Sequence, residues 1–367
     1  MDAEVAARVR LDLARIAHNG QDWVSMTAEM GAALSKVIPF DFHAWHPLDP
    51  ATLIMTGVAA RETTDDTTLN DPDSCRWLAH CEYAIDDVIQ WEALAKRSRP
   101  SGILSHATKG KPETSPRYRQ MLKPAGFEGE LRAVFVSDRM CWAALSLCRT
   151  PTKSDFDTRD ADFVATASRQ VADGFRRSVL FGQKMFEDAT RSPAMIVIDR
   201  HGEVEAATPS ALSWLDDLIE ARPHPGPLPV PIEAVALRAR YSGTERLSAD
   251  SSARARVRTR SGRWVTLYGV RLQDATDSGR IGIVIEPTTP LELAPFVLSA
   301  YGLTKRERQV ARHVISGMST RQISHQLSIS LHTVQDHLKA IFRKVGVSSR
   351  RDLVAKVFFE DYRPLIQ

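Results

Sequence analysis

His332, Gln335, Asp336, Lys339 and Arg343 follow one another at steps of three, one, three and four near the end of a 367-residue chain. On a helix that spacing puts them on one side. The set is chemically varied in a useful way. An amide can pair with the donor and acceptor edge of adenine, a carboxylate can accept from cytosine N4, and lysine can reach guanine O6 and N7. Arginine adds a fork suited to phosphate. Behind them Val334, Leu338, Ile341 and Val345 recur at steps of four, three and four, an apolar stripe on the opposite side. A helix buried on one face and presenting this set on the other has the composition of a groove reader.

The elements that would hold such a helix are legible nearby. Thr304 with Glu307 forms a capping-box pair ahead of Val310, Ala311, Val314 and Ile315, and Gly317 ends that helix. Ser319 with Gln322 opens a short second helix with Ile323 and Leu327 inside. Ser330 caps the third, which Gly346 closes, and Ser349 with Asp352 starts a fourth carrying Leu353, Val354, Val357 and Phe358. A short helix, a tight turn and a longer basic helix make a helix-turn-helix, whose core would be Ile323, Leu327, Val334, Leu338 and Ile341.

Charge agrees with that reading. The chain carries only +3, but residues 303–367 hold twelve Lys/Arg against five Asp/Glu, leaving the rest mildly acidic. A basic segment on an acidic body is a nucleic-acid footprint. At 43% hydrophobic and 25% charged the chain has material for large cores. Its longest apolar run, Met140 to Leu145, is too short to span a bilayer, and its charged first twenty residues offer no secretory core. The expectation is a cytoplasmic protein without membrane contact.

Residues 303–354 resemble the LuxR-type helix-turn-helix domain of bacterial transcription factors. Leu303-Thr304, Arg306-Glu307, Gly317, Ser319, Ile323, Ser330, Thr333-Val334, His337, Lys344 and Gly346-Val347 carry the resemblance. It implies base reading by Gln335, Asp336 and Lys339, with phosphate contacts from Thr333, His337, Arg343 and Lys344. Many members place Lys or Arg where this chain has Gln335-Asp336, so its operator need not look like theirs. The string TVQDHLK resembles actinobacterial regulators that carry a GAF-like domain ahead of this module.

The body reads as two α+β units. An N-terminal helix over 1–18 precedes a GAF-like sensory domain over 19–186. That domain has strands at Phe40–His46, Leu53–Ala59, Arg132–Val136 and Met140–Arg149, a helical region at Cys75–Trp91, an irregular segment 98–117, and a long helix from Asp160 to Phe186. A PAS-like domain follows over 190–288, with strands at Ala194–Asp199, Glu203–Ala206, Arg254–Thr259, Trp264–Arg271 and Arg280–Glu286. Its helices are at Pro209–Leu218 and Ile232–Tyr241, separated by the proline-rich Arg222–Pro231. Residues 289–297 read as a linker by composition, and 298–363 as the DNA-binding domain. The fold class is therefore multidomain, α+β followed by an all-α four-helix module.

No phosphate loop, GxSxG elbow, HExxH or deaminase-type zinc motif occurs, so no catalytic constellation, cofactor or metal is expected. Cys75, Cys81, Cys141 and Cys148 read as buried hydrophobes, with Cys141 and Cys148 on opposite strand faces. His43, Trp45, His46, Trp77, His80, Trp91 and Trp142 read as core more readily than as a ligand pocket. Arg254, Arg256, Arg258 and Arg260 share one strand face, read as a solvated sheet face more readily than as an anion or DNA site. The stripe Val164, Ala167, Val171, Phe175 and Val179 is a candidate dimer seam or a surface packed on its own sheet. The functional expectation is a non-enzymatic, DNA-binding transcriptional regulator. Double-stranded DNA and a second copy are its expected partners, with a small-molecule effector and RNA polymerase as further candidates. The alternative is a small-molecule-binding or signalling protein whose helical tail docks a protein partner.

Overall fold

Two helices open the chain, each started by an aspartate whose carboxylate accepts from backbone N–H groups. Asp2 caps α1 (Ala3–His18) and Asp22 caps α2 (Trp23–Leu34). Residues 2–62, 72–180, 192–218, 228–242, 252–273 and 279–357 are the ones this computed structural model describes. The first sheet follows, with β1 (Phe42–Pro47) and β2 (Ala59–Glu62), then α3 (Pro72–Tyr83), α4 (Trp91–Ala95), β3 (Ser101–Ile103), α5 (Leu104–Ala107), β4 (Gly129–Ser137) and β5 (Met140–Arg149). Helices α6 (Thr158–Thr166) and α7 (Ser168–Ser178) complete this half. The second half contains β6 (Ala194–Ile198), β7 (Val204–Ala207), α8 (Pro209–Leu218), α9 (Val230–Tyr241), β8 (Arg254–Arg258), β9 (Trp264–Arg271) and β10 (Ile281–Pro287). Five helices follow β10: α10 (Pro290–Ala300), α11 (Lys305–Ile315), α12 (Thr320–Leu327), α13 (Leu331–Val345) and α14 (Arg350–Ala355). Both sheets lie in one compact unit and α10–α14 in another.

The two sheets are antiparallel and share one strand order. The first runs β2-β1-β5-β4-β3 and the second β7-β6-β10-β9-β8, so each places its own strands in the order second, first, fifth, fourth, third. In the first, β4 and β5 join through Asp138-Arg139, both left-handed (φ 52° and 63°), the backbone that matches strand twist in a tight hairpin. In the second, Gly269 on β9 is required by packing. A Cβ there would lie 2.8 Å from the Val235 carbonyl oxygen and 2.9 Å from Ala239 Cβ on α9.

The first sheet is buried on both faces. Phe42, Ala44, Ala144 and Cys148 join a core with Leu78, Trp91 and Tyr118 from the helices and turns on one side. On the other, Trp45 stacks on Phe135 at 5.4 Å and lies 6.1 Å from Phe175. A charged cluster is enclosed here. Arg117 donates to Asp87 and Glu130, each at 2.9 Å, and Arg132 Nη1 pairs ionically with Glu82 at 2.6 Å, with every side chain at most 2% exposed. Opposite charge and hydrogen bonds offset the desolvation that such groups suffer.

Several sequence expectations need correction. The returning strand is β2 at 59–62, not Leu53–Ala59; Leu53 is left-handed and Met55 makes an isolated bridge to Leu48 instead. Segment 98–117 is not irregular, since it holds β3, α5 and a 3-10 turn at Pro112–Thr114. The long helix over 160–186 is two helices broken at Ala167, and residues 181–186 lie outside the described ones. Val164, Ala167, Val171 and Phe175 are each at most 4% exposed within the single chain and Val179 is half-buried, so the stripe packs mainly on its own domain, the second of its two expected roles. The linker at 289–297 is largely helical. Thr289 and Glu292 form a capping box, and Pro290 takes the first helical position, where its missing N–H costs nothing.

Cys141 and Cys148 do not face opposite ways. Phe135 pairs with Ala143 but Val136 with Cys141, leaving Trp142 as a bulge that reverses the alternation, and both thiols enter the same core. Burial pushes Cys81 and Cys141 up to about 12, so neither is a thiolate at neutral pH. Arg256 is not solvated either; its Nε and Nη2 donate to Asp49 at 3.0 and 2.8 Å in a buried bidentate pair. Of the polar-aromatic set, His43, Trp45, His46, Trp91 and Trp142 are buried, while Trp77 and His80 are half-buried. Burial, then the charge of Arg61, pushes His43 down to about 4, and it accepts from Trp45 Nε1 at 2.9 Å as a neutral ring. The proline-rich 222–227, and Phe358 and Phe359 of the fourth helix expected in the tail, lie outside the described residues.

Candidate nucleic-acid interface

Local sequence builds the helices of the C-terminal unit one at a time. Thr304 with Glu307, and Ser319 with Gln322, both form complete capping boxes, and Ser330 and Ser349 cap α13 and α14. Gly346 ends α13 in the left-handed conformation (φ 73°). The turn from α12 into α13 passes through left-handed Ser328 (φ 51°) and is fixed from three directions. Arg306 Nη2 donates to the Leu327 carbonyl at 2.7 Å, Ser324 Oγ to the Ile329 carbonyl at 2.5 Å, and Ile329 N to the Ser324 carbonyl at 3.1 Å. Farther on, Arg350 ties α14 back to the α11–α12 turn through the Met318 carbonyl and Thr320 Oγ1, both at 2.7 Å.

Ile323, Val334, Leu338, Ile341 and Val345 are buried with Val310, Ala311, Val314 and Leu353, and Leu327 packs partly buried against them. Burying one stripe of α13 determines what the rest of it shows. Gln335, Asp336, Lys339 and Arg343 are exposed on the outer side, while Thr333 and His337 are half-exposed on a flank that also carries Lys344. Asp336 sits 3.6 Å from His332 Nε2 and 3.9 Å from Lys339 Nζ, surface pairs worth at most ~1 kcal/mol. These side chains are therefore free to exchange partners on meeting a base edge. Arg343 has no ionic partner among the described residues.

Lys344 differs from the others in its set. Its ammonium donates to Glu307 Oε2 at 2.7 Å and to the Gly302 carbonyl at 3.2 Å, joining α13 to the start of α11. Burial opposes ionisation of Glu307, but Lys344 and the Thr304 hydrogen bonds outweigh it and hold the carboxyl below its ordinary value. Sequence reading also passed over Leu331, half exposed at the first position of α13. An apolar side chain at that end suits a thymine methyl, and the signal was a leucine directly after a capping serine and outside the core stripe.

Residues 302–357 match the family described as bacterial regulatory proteins, luxR family. This segment is a LuxR-family helix-turn-helix domain. The LuxR-family domain is a DNA-binding, non-enzymatic module. It is 43% identical over 56 residues to the monoamine regulon transcriptional regulator of Klebsiella aerogenes, covering 15% of this chain and 25% of that protein. Over 56 residues it is 41% identical to the transcriptional regulatory protein UhpA of Escherichia coli K12, covering 15% and 29%. The chain thus spans only a quarter or slightly more of the length of these curated relatives. Over the whole chain, the solved structure of Escherichia coli SdiA aligns across 96% of both chains at 12% identity and a TM-score of 0.33, too loose a likeness to bear on function. No helix among the described residues is long and apolar enough to cross a membrane.

Proposed function

We propose that the whole chain is a sequence-specific transcriptional regulator in which the two sheet-bearing regions control the LuxR-family domain. The observation that carries this is the outer side of α13, where Gln335, Asp336, Lys339 and Arg343 stand exposed over a fully buried stripe. Gln335, Asp336 and Lys339 are the proposed base readers, with phosphate contacts from Thr333, His337 and Arg343. Lys344 is left to a structural task by its bond to Glu307. The antiparallel order common to both sheets supports reading them as GAF-like over 19–186 and PAS-like over 190–288, sensory modules for an effector. With no membrane-crossing helix described, the proposed setting is the cytoplasm.

A homodimer fits this role, because one recognition helix covers too few base pairs to single out a site in a genome. Its proposed seam is the C-terminal helix expected over 350–359 rather than the buried α6–α7 stripe, with RNA polymerase as a downstream partner. The test is genome-wide mapping of DNA bound by the full chain, followed by affinity at rising salt on the sites found. Log K should fall by about 0.9 per phosphate contact per log unit of salt. An affinity flat with salt, or no enriched sequence, overturns the reading.

A further inference from the structure

A cleft of about 470 Å³ opens between α3, the β6–β7 turn and α9. That volume lies in the ~300–1,000 Å³ range of small-molecule sites. One wall is aromatic. Trp77 meets His80 edge-on at 5.2 Å, and His80 meets Tyr241 at 6.1 Å. Burial, then the nearby charge of Arg240, lowers the His80 pKa, which favours its neutral ring. Ile198 and Leu237 add apolar surface.

The charged groups of the cleft do not balance. Three guanidiniums, Arg76, Arg200 and Arg240, line it against one lining carboxylate, Glu233. Arg76 Nε donates to Glu233 at 3.3 Å and its Nη1 lies 3.6 Å from Glu203, but its Nη2 makes no hydrogen bond. Arg240 gives Nη1 and Nη2 to the Arg200 and Asp199 carbonyls at 2.7 and 2.6 Å, and its Nε makes none. Among the described residues no carboxylate lies within ion-pair distance of Arg240. The hydrogen bonds of this half-buried guanidinium go to carbonyls, with the Asp199 carboxylate near it but outside ion-pair distance, so the site lacks a directly bonded anion.

We propose that this cleft binds a small aromatic carboxylate, its ring against Trp77, His80 and Tyr241 and its anionic group on the Arg76 and Arg240 guanidiniums. A planar body matches flat walls, and a two-oxygen anion matches the fork of arginine. The bound molecule would bridge α3 of the first half to α9 of the second. The proposal is independent of DNA binding, since occupancy is read without an operator.

The experiment is calorimetric titration of the full chain with benzoate, salicylate and naphthoate, beside benzyl alcohol and inorganic phosphate as probes lacking the charge or the ring. The expected result is one site per chain for an aromatic carboxylate, with both controls at least about tenfold weaker. Arg240→Gln should weaken binding about tenfold or more, and Leu237→Trp should abolish it by filling the cleft. Photolabelling of the unaltered protein with para-azidobenzoate serves if either variant misfolds; the label should map to residues 76–80 or 236–241. No binding of any aromatic carboxylate at millimolar concentration overturns the proposal. So does binding matched by phosphate or benzyl alcohol, or a label mapped elsewhere.

Discussion

Lys344 near the end of α13 donates to Glu307 in the first turn of α11 at 2.7 Å, so the proposed reading helix is tied to the helix that supports it. A lysine that looks available for phosphate from sequence is thus part of the domain's internal bonding. Lys344→Met should strand a largely buried carboxylate and cost about 1–3 kcal/mol. The check pairs thermal unfolding with the salt slope of DNA binding. A lowered Tm with an unchanged slope is expected, whereas a slope reduced by about one would make Lys344 a phosphate contact after all.

The same pair sets an acid limit. Glu307 ionises more readily in the folded domain than its ordinary value of 4.5 allows. A depressed carboxyl stabilises the fold fully above that ordinary value, and the contribution disappears as pH falls through the lower folded value. Unfolding followed from pH 6 downward should show stability of the C-terminal unit falling below the ordinary glutamate range. Glu307→Gln should flatten that part of the profile, and an unchanged profile would remove the pair from the account.

Lys339 and Arg343 are one helical turn apart on the same exposed side, yet their substitutions should behave differently. Lys339→Ala is expected to relax preference at one operator position at a cost of about 1–3 kcal/mol. Arg343→Ala is expected to weaken every sequence alike and lower the salt slope by about one. Binding to a library of single-position operator variants separates the outcomes. Uniform loss in both would mean that the base-reading side of α13 has been assigned wrongly.

The enclosed cluster around Arg117 predicts a large stability effect far from any site. Arg117→Met removes the guanidinium between Asp87 and Glu130, each 2.9 Å away, and leaves two carboxylates in a dry core. A loss of about 3–5 kcal/mol is expected. Denaturant unfolding of the purified variant measures it, and a loss below about 1 kcal/mol would mean that the site hydrates or reprotonates easily.

Val171, 1% exposed on α7, provides a contrasting test of the dimer. Val171→Glu should destabilise the first half by more than about 3 kcal/mol, because an unpaired charge enters its core. A folded variant that sediments as a monomer while the unaltered chain sediments as a dimer would restore the α6–α7 stripe as the seam.

What was legible in the sequence was what is encoded locally. The C-terminal helices are specified by pairs three or four residues apart, Thr304 with Glu307, Ser319 with Gln322, Val334 with Leu338, and these survive in the structure unchanged. Thr289 with Glu292 is the same signal, overlooked because the prolines at 287, 290 and 295 read as a linker. The face assignment of Cys141 failed because the bulge at Trp142 depends on β4, not on β5 itself. Asp49 with Arg256, and Arg76 with Glu233, meet only after two distant segments pack, so nothing in either segment announces the buried pair or the cleft. Lys344 belongs to the same class, since its type and place fit a phosphate contact until α11 is set beside it.

Gly269 lets the backbone of α9 lie almost directly on β9, with the Val235 carbonyl 2.8 Å from where a side chain would begin. At Gly269 the strand contributes no side chain to separate it from the helix, and close-packed interiors pass strain on. A shift of α9, which also supplies Leu237, Arg240 and Tyr241 to the cleft, is therefore a shift of the strand beneath it. Helix and strand form a single stiff lever.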